Sequence, residues 1–420
     1  MLFRSLMAFL GDSQRMHKSV LEMCCFLNKY SDGCVILPHA VALDSLHDTS
    51  ADKQSSGINE IHEVFGGLLL EEQNETNGYY GWRPAHPLVS DVVTSGISIE
   101  ETAIRCLEQA CSGKAYVMKF LRRQIFRLYL DRKRLSDPVF VEDQALDDGA
   151  VGADLENEVF GFHGKRTRYS PVIVDIMDKE ENIEGALRVL LTICEKATQI
   201  EDKAYAWQQL ARFIGYELRA NEMDETNELN KRLHHTMTEI KQIQVAIPRT
   251  GIDAAHMAVD IAVSLQPSYT NHYTTKGVLY FHQLRDFKTK TPLLRALPDA
   301  VEICRKALGV YHKALETSRE PNHFSMIGKI QANVSLLEIV KDLPCFNSDE
   351  GKFTMYLERR TVPHELENAL SPEDRDYVQR LGTTTLDLLN ELFGHVKLKQ
   401  TTTYDENEGR GLNKIGRAHV

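Results

Sequence analysis

The chain has 420 residues, a formal net charge of −11 and a mean hydropathy of −0.32. This acidic balance argues against a whole surface built to bind nucleic acid or anionic membranes, and the length suits about two or three domains. No apolar run approaches the roughly 20 residues that span a bilayer, so we expect no membrane association. The eight cysteines include no CxxC pair, which indicates reduced thiols in a cytoplasmic protein rather than a disulfide framework.

The two ends of the chain each resemble a sequence that would not belong to the folded protein. The start, MLFRSLMAFLGDS, resembles a short signal peptide, but Arg4 interrupts the apolar run and no cleavage pattern follows. We therefore expect a buried helix there. The end, KIGRAHV (414–420), is the translation of AAG ATC GGA AGA GCA CAC GTC, which resembles a sequencing-library adapter. We expect these residues to be foreign to the natural protein, whose C-terminus would lie further on.

Residues 1–135 predict a winged-helix-like module. The predicted elements are two helices over 15–48, a polar loop over 49–57, a helix over 58–65, a hairpin with a polar tip at 71–78, and a helix over 88–93. In DNA-reading winged helices the third helix is basic. Here it carries two glutamates and neither Lys nor Arg over 58–63, so base reading is unsupported.

The module is predicted to end in a basic helix. Its basic residues are Lys119, Arg122, Arg123, Arg127, Arg132, Lys133 and Arg134. Because Phe120, Phe126 and Tyr129 are interleaved with them, the helix is a candidate for binding RNA phosphates or an acidic partner. The alternative is a solvated basic face opposite an apolar stripe (Leu121, Ile125, Leu128), or one that pairs with the acidic segment that follows.

Residues 136–168 predict an acidic, glycine-rich linker. Within it, GFHGKRT (161–167) nearly matches a phosphate-binding loop. However, Arg166 follows the lysine where a Ser or Thr must hold magnesium, and no apolar strand precedes the loop. We therefore reject a nucleotide site there.

Other catalytic and metal-binding patterns were sought along the whole chain. The Cys24, Cys25, Cys34 and His39 group fits no common zinc spacing. The chain also has no Walker A loop, HExxH, GxSxG, GxGxxG or kinase signature. We therefore expect no enzyme, no catalytic residue, no metal and no cofactor within these 420 residues.

Residues 169–345 predict tetratricopeptide-like (TPR-like) helical repeats. The positions that carry the period are Ala186, Leu190 and Ile193; Trp207, Leu210, Ala211 and Ile214; Ala255, Val259, Ala262 and Pro267; Tyr273, Gly277 and Tyr280; and Ala300, Cys304 and Ala307. A large side chain at Ala255 or Gly277 would hold the two crossing helices apart. The alternative is a plain amphipathic helical domain.

Two features stand out around the predicted repeats. A polar insert over 221–240, with His234 and His235 solvated, is expected to be an exposed extension. The aromatic repeat positions are expected to pack, so Arg212 alone is a candidate surface contact. Beyond the repeats, residues 346–398 predict a helical extension and residues 399–420 a loose tail. The predicted fold class is therefore mainly α: a winged-helix module, a TPR-like superhelix and a helical C-terminal extension.

The order of several segments resembles the sterile alpha motif domain-containing protein 9 and 9-like family, over about residues 20–390. One segment departs from the family, because Lys329 stands where it tends to carry Glu. The segments are YYGWRPAHPLVSDVV, RYSPVIVDIM, WQQLARFIGYE, AAHMAVDIAVSLQPSYTNHYTTKGVLY, NHFSMIGKIQANVSLLEIVKDLPCF and YLERRTVPHEL.

This resemblance implies a cytoplasmic antiviral factor of innate immunity, of the STAND NTPase type, that restrains translation. In the family, a sterile alpha motif, an AlbA-like domain, a sirtuin-like region and a P-loop NTPase precede the winged helix. An OB fold follows the repeats. The chain would then be an internal fragment, the regulatory and protein-interaction arm, with the NTPase upstream in the full-length chain.

The resemblance also implies a role for His86. In related switch ATPases, a winged-helix histidine reaches the β-phosphate of bound ADP and holds the protein closed, which would make His86 a nucleotide sensor. The alternative is a histidine, fixed between two prolines, that caps the next helix. For the whole chain, two further functions stay open: a stand-alone TPR adaptor for peptide partners, and an RNA-binding module that uses the basic helix over 119–134.

Overall fold

The computed structural model describes residues 15–31, 35–39, 51–74, 79–112, 116–130, 169–219, 221–223, 226–241, 247–289, 294–318, 322–346 and 349–406. Across these residues the chain is mainly α-helical, which confirms the predicted fold class at that level. The chain forms two compact units, Met1–Gln266 and Pro267–Val420. The boundary falls inside the segment 169–345, for which one repeat array is predicted.

The first unit opens with a small sheet surrounded by helices. Its first elements are α1 (Arg15–Ser31), β1 (Leu37–Pro38), α2 (Ala51–Phe65), β2 (Leu69–Gln73), β3 (Tyr80–Pro84) and α3 (Pro87–Thr94). The rest of the unit is helical: α4 (Ile99–Ser112), α5 (Tyr116–Leu130), α6 (Pro171–Lys179), α7 (Ile183–Lys196), α8 (Ile200–Glu217), α9 (Glu228–Lys241) and α10 (Gly251–Leu265).

The sheet is antiparallel, in the order β1-β3-β2. The predicted hairpin is present. Strand β2 continues to Gln73, a residue of the predicted tip, and Gln73 pairs with Tyr80 of β3. Trp82 is fully buried and lies opposite Leu37 of β1. A Cβ at Gly81 would lie 2.3 Å from the Leu37 carbonyl oxygen, so glycine is needed for β1 to approach this closely.

One loop prediction in this region is wrong. Helix α2 begins at Ala51, whereas a polar loop is predicted over 49–57. Ala51, Lys53 and Gln54 all have good helix propensity, so polarity alone does not end a helix there. The prediction that residues 41–46 are helical lies outside the described residues.

The core of the helical part of this unit contains the predicted repeat positions. Helix α8 packs against α7 and, most extensively, against α10. All the small and apolar repeat positions on these three helices are buried: Ala186, Leu190, Ile193, Trp207, Leu210, Ala211, Ile214, Ala255, Val259 and Ala262. The predicted buried faces are therefore confirmed.

The polar insert is not an exposed extension, so that prediction is wrong. Helix α9 buries Leu233 and Met237. Its Arg232 donates from Nε to Oε1 of Glu195 on α7 at 2.8 Å, and from Nη2 to Thr192 Oγ1 at 2.9 Å. A stripe of apolar residues four apart is enough to dock a short helix whose other faces are polar. Of the two histidines, His235 is exposed and His234 is half-buried.

The second unit is helical throughout its described residues. Its elements are α11 (Thr270–Thr289), a 3-10 turn (Leu294–Ala296), α12 (Leu297–Thr317), α13 (His323–Lys341), α14 (Glu350–Leu357), α15 (His364–Ala369) and α16 (Pro372–Glu406). Helix α13 packs against α11, α12 and α16. Helix α16 continues to Glu406, so the predicted loose tail is helical over 399–406; residues 407–420 lie outside the described part.

A fully buried tyrosine fills the crossing of three helices in this unit. The ring of Tyr311 on α12 lies against Gly277 of α11 and Gly328 of α13. A Cβ at Gly277 would lie 2.5 Å from the ring, and a Cβ at Gly328 would lie 2.4 Å from it. The predicted need for a small residue at Gly277 is thus confirmed, and its neighbour is a ring that two glycines enclose.

Candidate functional site

His86 lies between strand β3 and helix α3, where it caps the helix. Its backbone is extended (φ −149°, ψ 143°), and its Nδ1 accepts a hydrogen bond from the backbone N–H of Leu88 at 3.1 Å. Pro87 occupies the first helical turn, where its missing N–H costs nothing. The ring is exposed. The capping alternative is therefore what the structure shows, while nucleotide sensing stays a prediction.

Loss of this cap is expected to lower stability modestly. His86→Ala should reduce the free energy of unfolding by about 0.5–1 kcal/mol, because an N-terminal N–H of α3 loses its acceptor. His86→Asn is the matched control, since asparagine is a strong N-cap and should restore that stability. Urea denaturation followed by circular dichroism measures both variants. If Ala and Asn are equally stable, the cap contributes nothing.

The basic helix α5 buries its apolar and aromatic face. Leu121, Ile125 and Leu128, the predicted stripe, are buried. Phe126 and Tyr129 are buried as well, and the Tyr129 hydroxyl donates to the Ala103 carbonyl at 3.0 Å. These two rings cannot stack on RNA bases, so their part in the RNA interpretation is wrong.

The basic residues of α5 that the structure places beside partners face helix α8 and the residues just before it. Arg123 Nε lies 3.6 Å from Asp202 Oδ1, and Arg122 Nη1 donates to Thr198 Oγ1 at 3.4 Å. Burial raises the pKa of Asp202, while Arg123 and Arg127 oppose that shift. Arg123 and Arg127 are both exposed, so their ion pairing with Asp202 is weak. The side chain of Lys119, and residues 132–134, lie outside the described part.

Arg212 is not a surface residue. It lies within helix α8 with 9% of its surface exposed. The prediction of a repeat-surface contact is therefore not met, because α8 is covered by α7 and α10. Tyr273 and Tyr280 in the second unit are half-buried, as expected for packing positions.

A polar network, which the sequence does not reveal, joins the first helices to the repeat region. Glu100 is 7% exposed; it accepts a hydrogen bond from Asn182 Nδ2 at 2.6 Å and pairs with Arg188. In return, the carboxylate of Glu180 accepts the backbone N–H of Ile99 at 2.5 Å, at the start of α4. Contacts between residues more than 80 positions apart in sequence thus link the first turns of α4 and α7.

A second contact extends this junction. The Tyr30 hydroxyl on α1 donates to Asp175 Oδ2 on α6 at 2.8 Å. Burial, and then the Asp175 charge, raise the pKa of Tyr30, which keeps the phenol a donor. Sequence reasoning had no signal for this pairing, because hydrogen-bond partners far apart in sequence leave no local pattern.

Cys24 and Cys25 are buried thiols of helix α1, whereas Cys34 lies outside the described residues. Burial raises the pKa of Cys24 well above its ordinary value and that of Cys25 to about 12, so both remain protonated thiols. Among the residues that the structure describes, no group of His, Cys, Asp and Glu is arranged to hold a metal ion. No described helix is long and apolar enough to cross a membrane.

No family model matches the chain, no curated protein matches it, and no solved structure matches it.

Proposed function

We propose that the chain is the regulatory and protein-interaction arm of a cytoplasmic, STAND-type antiviral protein that restrains translation. The observation that carries the proposal is the Glu100–Asn182–Arg188 network. This network joins helix α4, which belongs to the sheet-bearing module (β1–β3 and helices α1–α5), to helix α7, one of the first helices of the repeat region. Both helices lie within one compact unit. A ligand or partner that moves the repeat helices would also move the module, which is what a regulatory arm requires.

The finer fold assignments belong to this proposal. A three-stranded antiparallel sheet whose hairpin is flanked by α2 and α3 supports a winged-helix module. Buried small residues on successive helices support TPR-like repeats. In such a protein the NTPase lies upstream, and the Nδ1 of His86 is already an acceptor. A neutral ring therefore carries its proton on Nε2, the atom able to donate to a phosphate.

A long read of the native transcript tests the proposal. The expected result is an in-frame Walker A loop upstream of residue 1 and a β-rich segment downstream of residue 413. A message that begins at Met1 and stops near Asn413 would contradict the proposal. It would favour the stand-alone adaptor for peptide partners, in which His86 has no nucleotide to contact.

RNA binding through α5 is the second alternative, and its aromatic residues do not favour it. If the arginines nevertheless bind RNA, replacing Arg122, Arg123 and Arg127 with Ala should abolish the salt-dependent binding of a single-stranded RNA. Because two of these arginines face Asp202, we expect little binding by the wild type at about 0.15 M salt. Fluorescence anisotropy measures it. Strong wild-type binding that the triple variant loses would contradict this expectation.

A further inference from the structure

Two histidines share one carboxylate at the edge of the sheet. His39 directly follows β1, His62 lies in the last turn of α2, and Glu71 is on the edge strand β2. The Nε2 atom of His39 lies 3.3 Å from one Glu71 oxygen, and that of His62 lies 3.2 Å from the other. The cluster therefore joins three elements that are separate in sequence.

The ring of Trp82 lies beside both histidines of this cluster. The His39 ring packs against the Trp82 ring, with centroids 4.1 Å apart and planes tilted by 43°, and the His62 ring lies at a steep angle to Trp82, with centroids 6.4 Å apart. The His39 side chain is 14% exposed and that of His62 is 37% exposed. Since burial disfavours a charge, the imidazolium of His39 is the more costly of the two.

One carboxylate can neutralise one imidazolium, but not two. Burial lowers the pKa of His39 below its ordinary 6.5; Glu71 opposes this shift and His62 adds to it. Among the described residues, these are the two charged groups that act on His39. Glu72 on β2 pairs with Arg83, and Cys24 of α1, next to the Trp82 carbonyl, stays a neutral thiol.

We propose that His39, His62 and Glu71 form a proton-sensitive latch that holds the end of β1 against the sheet at neutral pH and releases it in acid. With His39 neutral, its ring packs against Trp82 and its Nε2 lies beside Glu71. Once both rings are protonated, two positive charges share one carboxylate, and His39 leaves the tryptophan for water.

The sign of the pH dependence follows from the lowered pKa. The unfolded or released His39 binds a proton near pH 6.5, whereas the latched ring resists it. The latch therefore stabilises the β1 end fully above that value, and this stabilisation is lost as the pH falls through the lower, latched value.

Tryptophan emission of the full chain tests the latch. The chain has two tryptophans, Trp82 and Trp207. Comparison with His39→Gln isolates Trp82, because Trp207 is the same in both proteins. From about pH 7.5 to about pH 5, we expect the wild-type emission to shift to the red, since release of His39 exposes Trp82 to water. His39→Gln should show no such shift. Hydrogen exchange should show protection lost over 35–38 in the wild type.

Two further variants give opposite shifts, which a purely structural role would not produce. Glu71→Gln removes the carboxylate that holds a protonated His39 in the latch, so the midpoint of release should move up by about half a pH unit. His62→Gln removes the competing positive charge, so a protonated His39 should stay paired with Glu71 and the midpoint of release should move down by about as much. His235→Gln is the matched control: it breaks an exposed His–Glu pair, with Glu239, on α9 and should leave the titration unchanged.

The latch is overturned by any of three results. These are an emission change that persists in His39→Gln, midpoints of the Glu71 and His62 variants that shift in the same direction, and protection over 35–38 that stays constant down to about pH 5. Far-UV circular dichroism over the same range shows whether the helices stay folded. If His39→Gln itself fails to fold, the opposite shifts of the other two variants still decide the question.

Discussion

Gly328→Ala is expected to destabilise the second unit, although alanine is the better helix former. The added Cβ would lie 2.4 Å from the ring of the fully buried Tyr311. Gly277 presses on the same ring from α11, so the ring cannot move aside. Overpacking costs about 1–3 kcal/mol, against a propensity gain of about 1 kcal/mol. We expect a net loss of up to about 2 kcal/mol, and a larger loss for Gly328→Val.

Gly309→Ala is the matched control for this substitution. Gly309 lies on α12, the helix that carries Tyr311, and a Cβ there would meet nothing within 4 Å. Only the propensity term remains, so this variant should gain up to about 1 kcal/mol. Urea denaturation measures both variants, and hydrogen exchange over α11–α13 assigns the change to this unit.

A double-mutant cycle shows whether the ring is the cause. Tyr311→Leu alone should destabilise, because the slot is left partly empty. In that background, Gly328→Ala should no longer destabilise, and the coupling energy should be about 1–3 kcal/mol. If Gly328→Ala costs as much in the Tyr311→Leu background as in the wild type, the steric explanation is wrong.

The spacing of small residues predicts only part of the helix crossing that Tyr311 fills. Gly277 falls in the repeat period, which indicates a close helix crossing. The sequence does not show that the crossing is filled by Tyr311, a residue outside the counted positions, or that Gly328 closes it from a third helix. Periodicity identifies the face of a helix that is buried. It does not identify the residue on another helix that it meets.

The basic helix shows why a residue pattern can be right and its functional interpretation wrong. Aromatic residues interleaved with arginines suit RNA binding, but the spacing of Ile125, Phe126, Leu128 and Tyr129 also suits one buried face of a helix. All four are buried. Composition cannot separate these cases, because exposure depends on which helices pack against α5.

The polar contacts were the least predictable part of the chain. The capping alternative for His86 follows from the two flanking prolines, and the bond that it predicts is local, since its partner Leu88 is two residues away. The Glu71 pairs and the Glu100 network join residues from different elements, for which a single sequence carries no signal. Arg212 is predicted as a surface contact because the aromatic repeat positions are expected to pack, yet its own helix is covered on more than one side.

Glu100→Ala is expected to weaken the junction between the sheet-bearing module and the repeat region. It would leave Asn182 Nδ2 without its carboxylate acceptor and Arg188 without its partner. A buried network usually loses about 3–5 kcal/mol when one member is removed. Because the Arg188 side chain is 40% exposed, water takes over part of its solvation. We therefore expect a loss of about 1–3 kcal/mol.

The matched control is Glu72→Ala, which breaks an exposed ion pair on the sheet. Both partners are more than one-third exposed, Arg83 at 35% and Glu72 at 44%. The loss should therefore stay under about 1 kcal/mol. Glu100→Gln should fall between the two, because its amide oxygen can still accept from Asn182 while the charge on Arg188 goes unmatched. Urea denaturation ranks the three variants.

Hydrogen exchange locates the effect of Glu100→Ala. Exchange should rise together at the first turns of α4 and α7, which Glu100, Glu180 and Asn182 close from opposite sides. A rise confined to α4 would mean that the network is a local cap and that the module and the repeat region are joined by other contacts. The proposed regulatory arm would then lose the observation that carries it, because the Glu100 network would not couple a change in the repeat helices to the sheet.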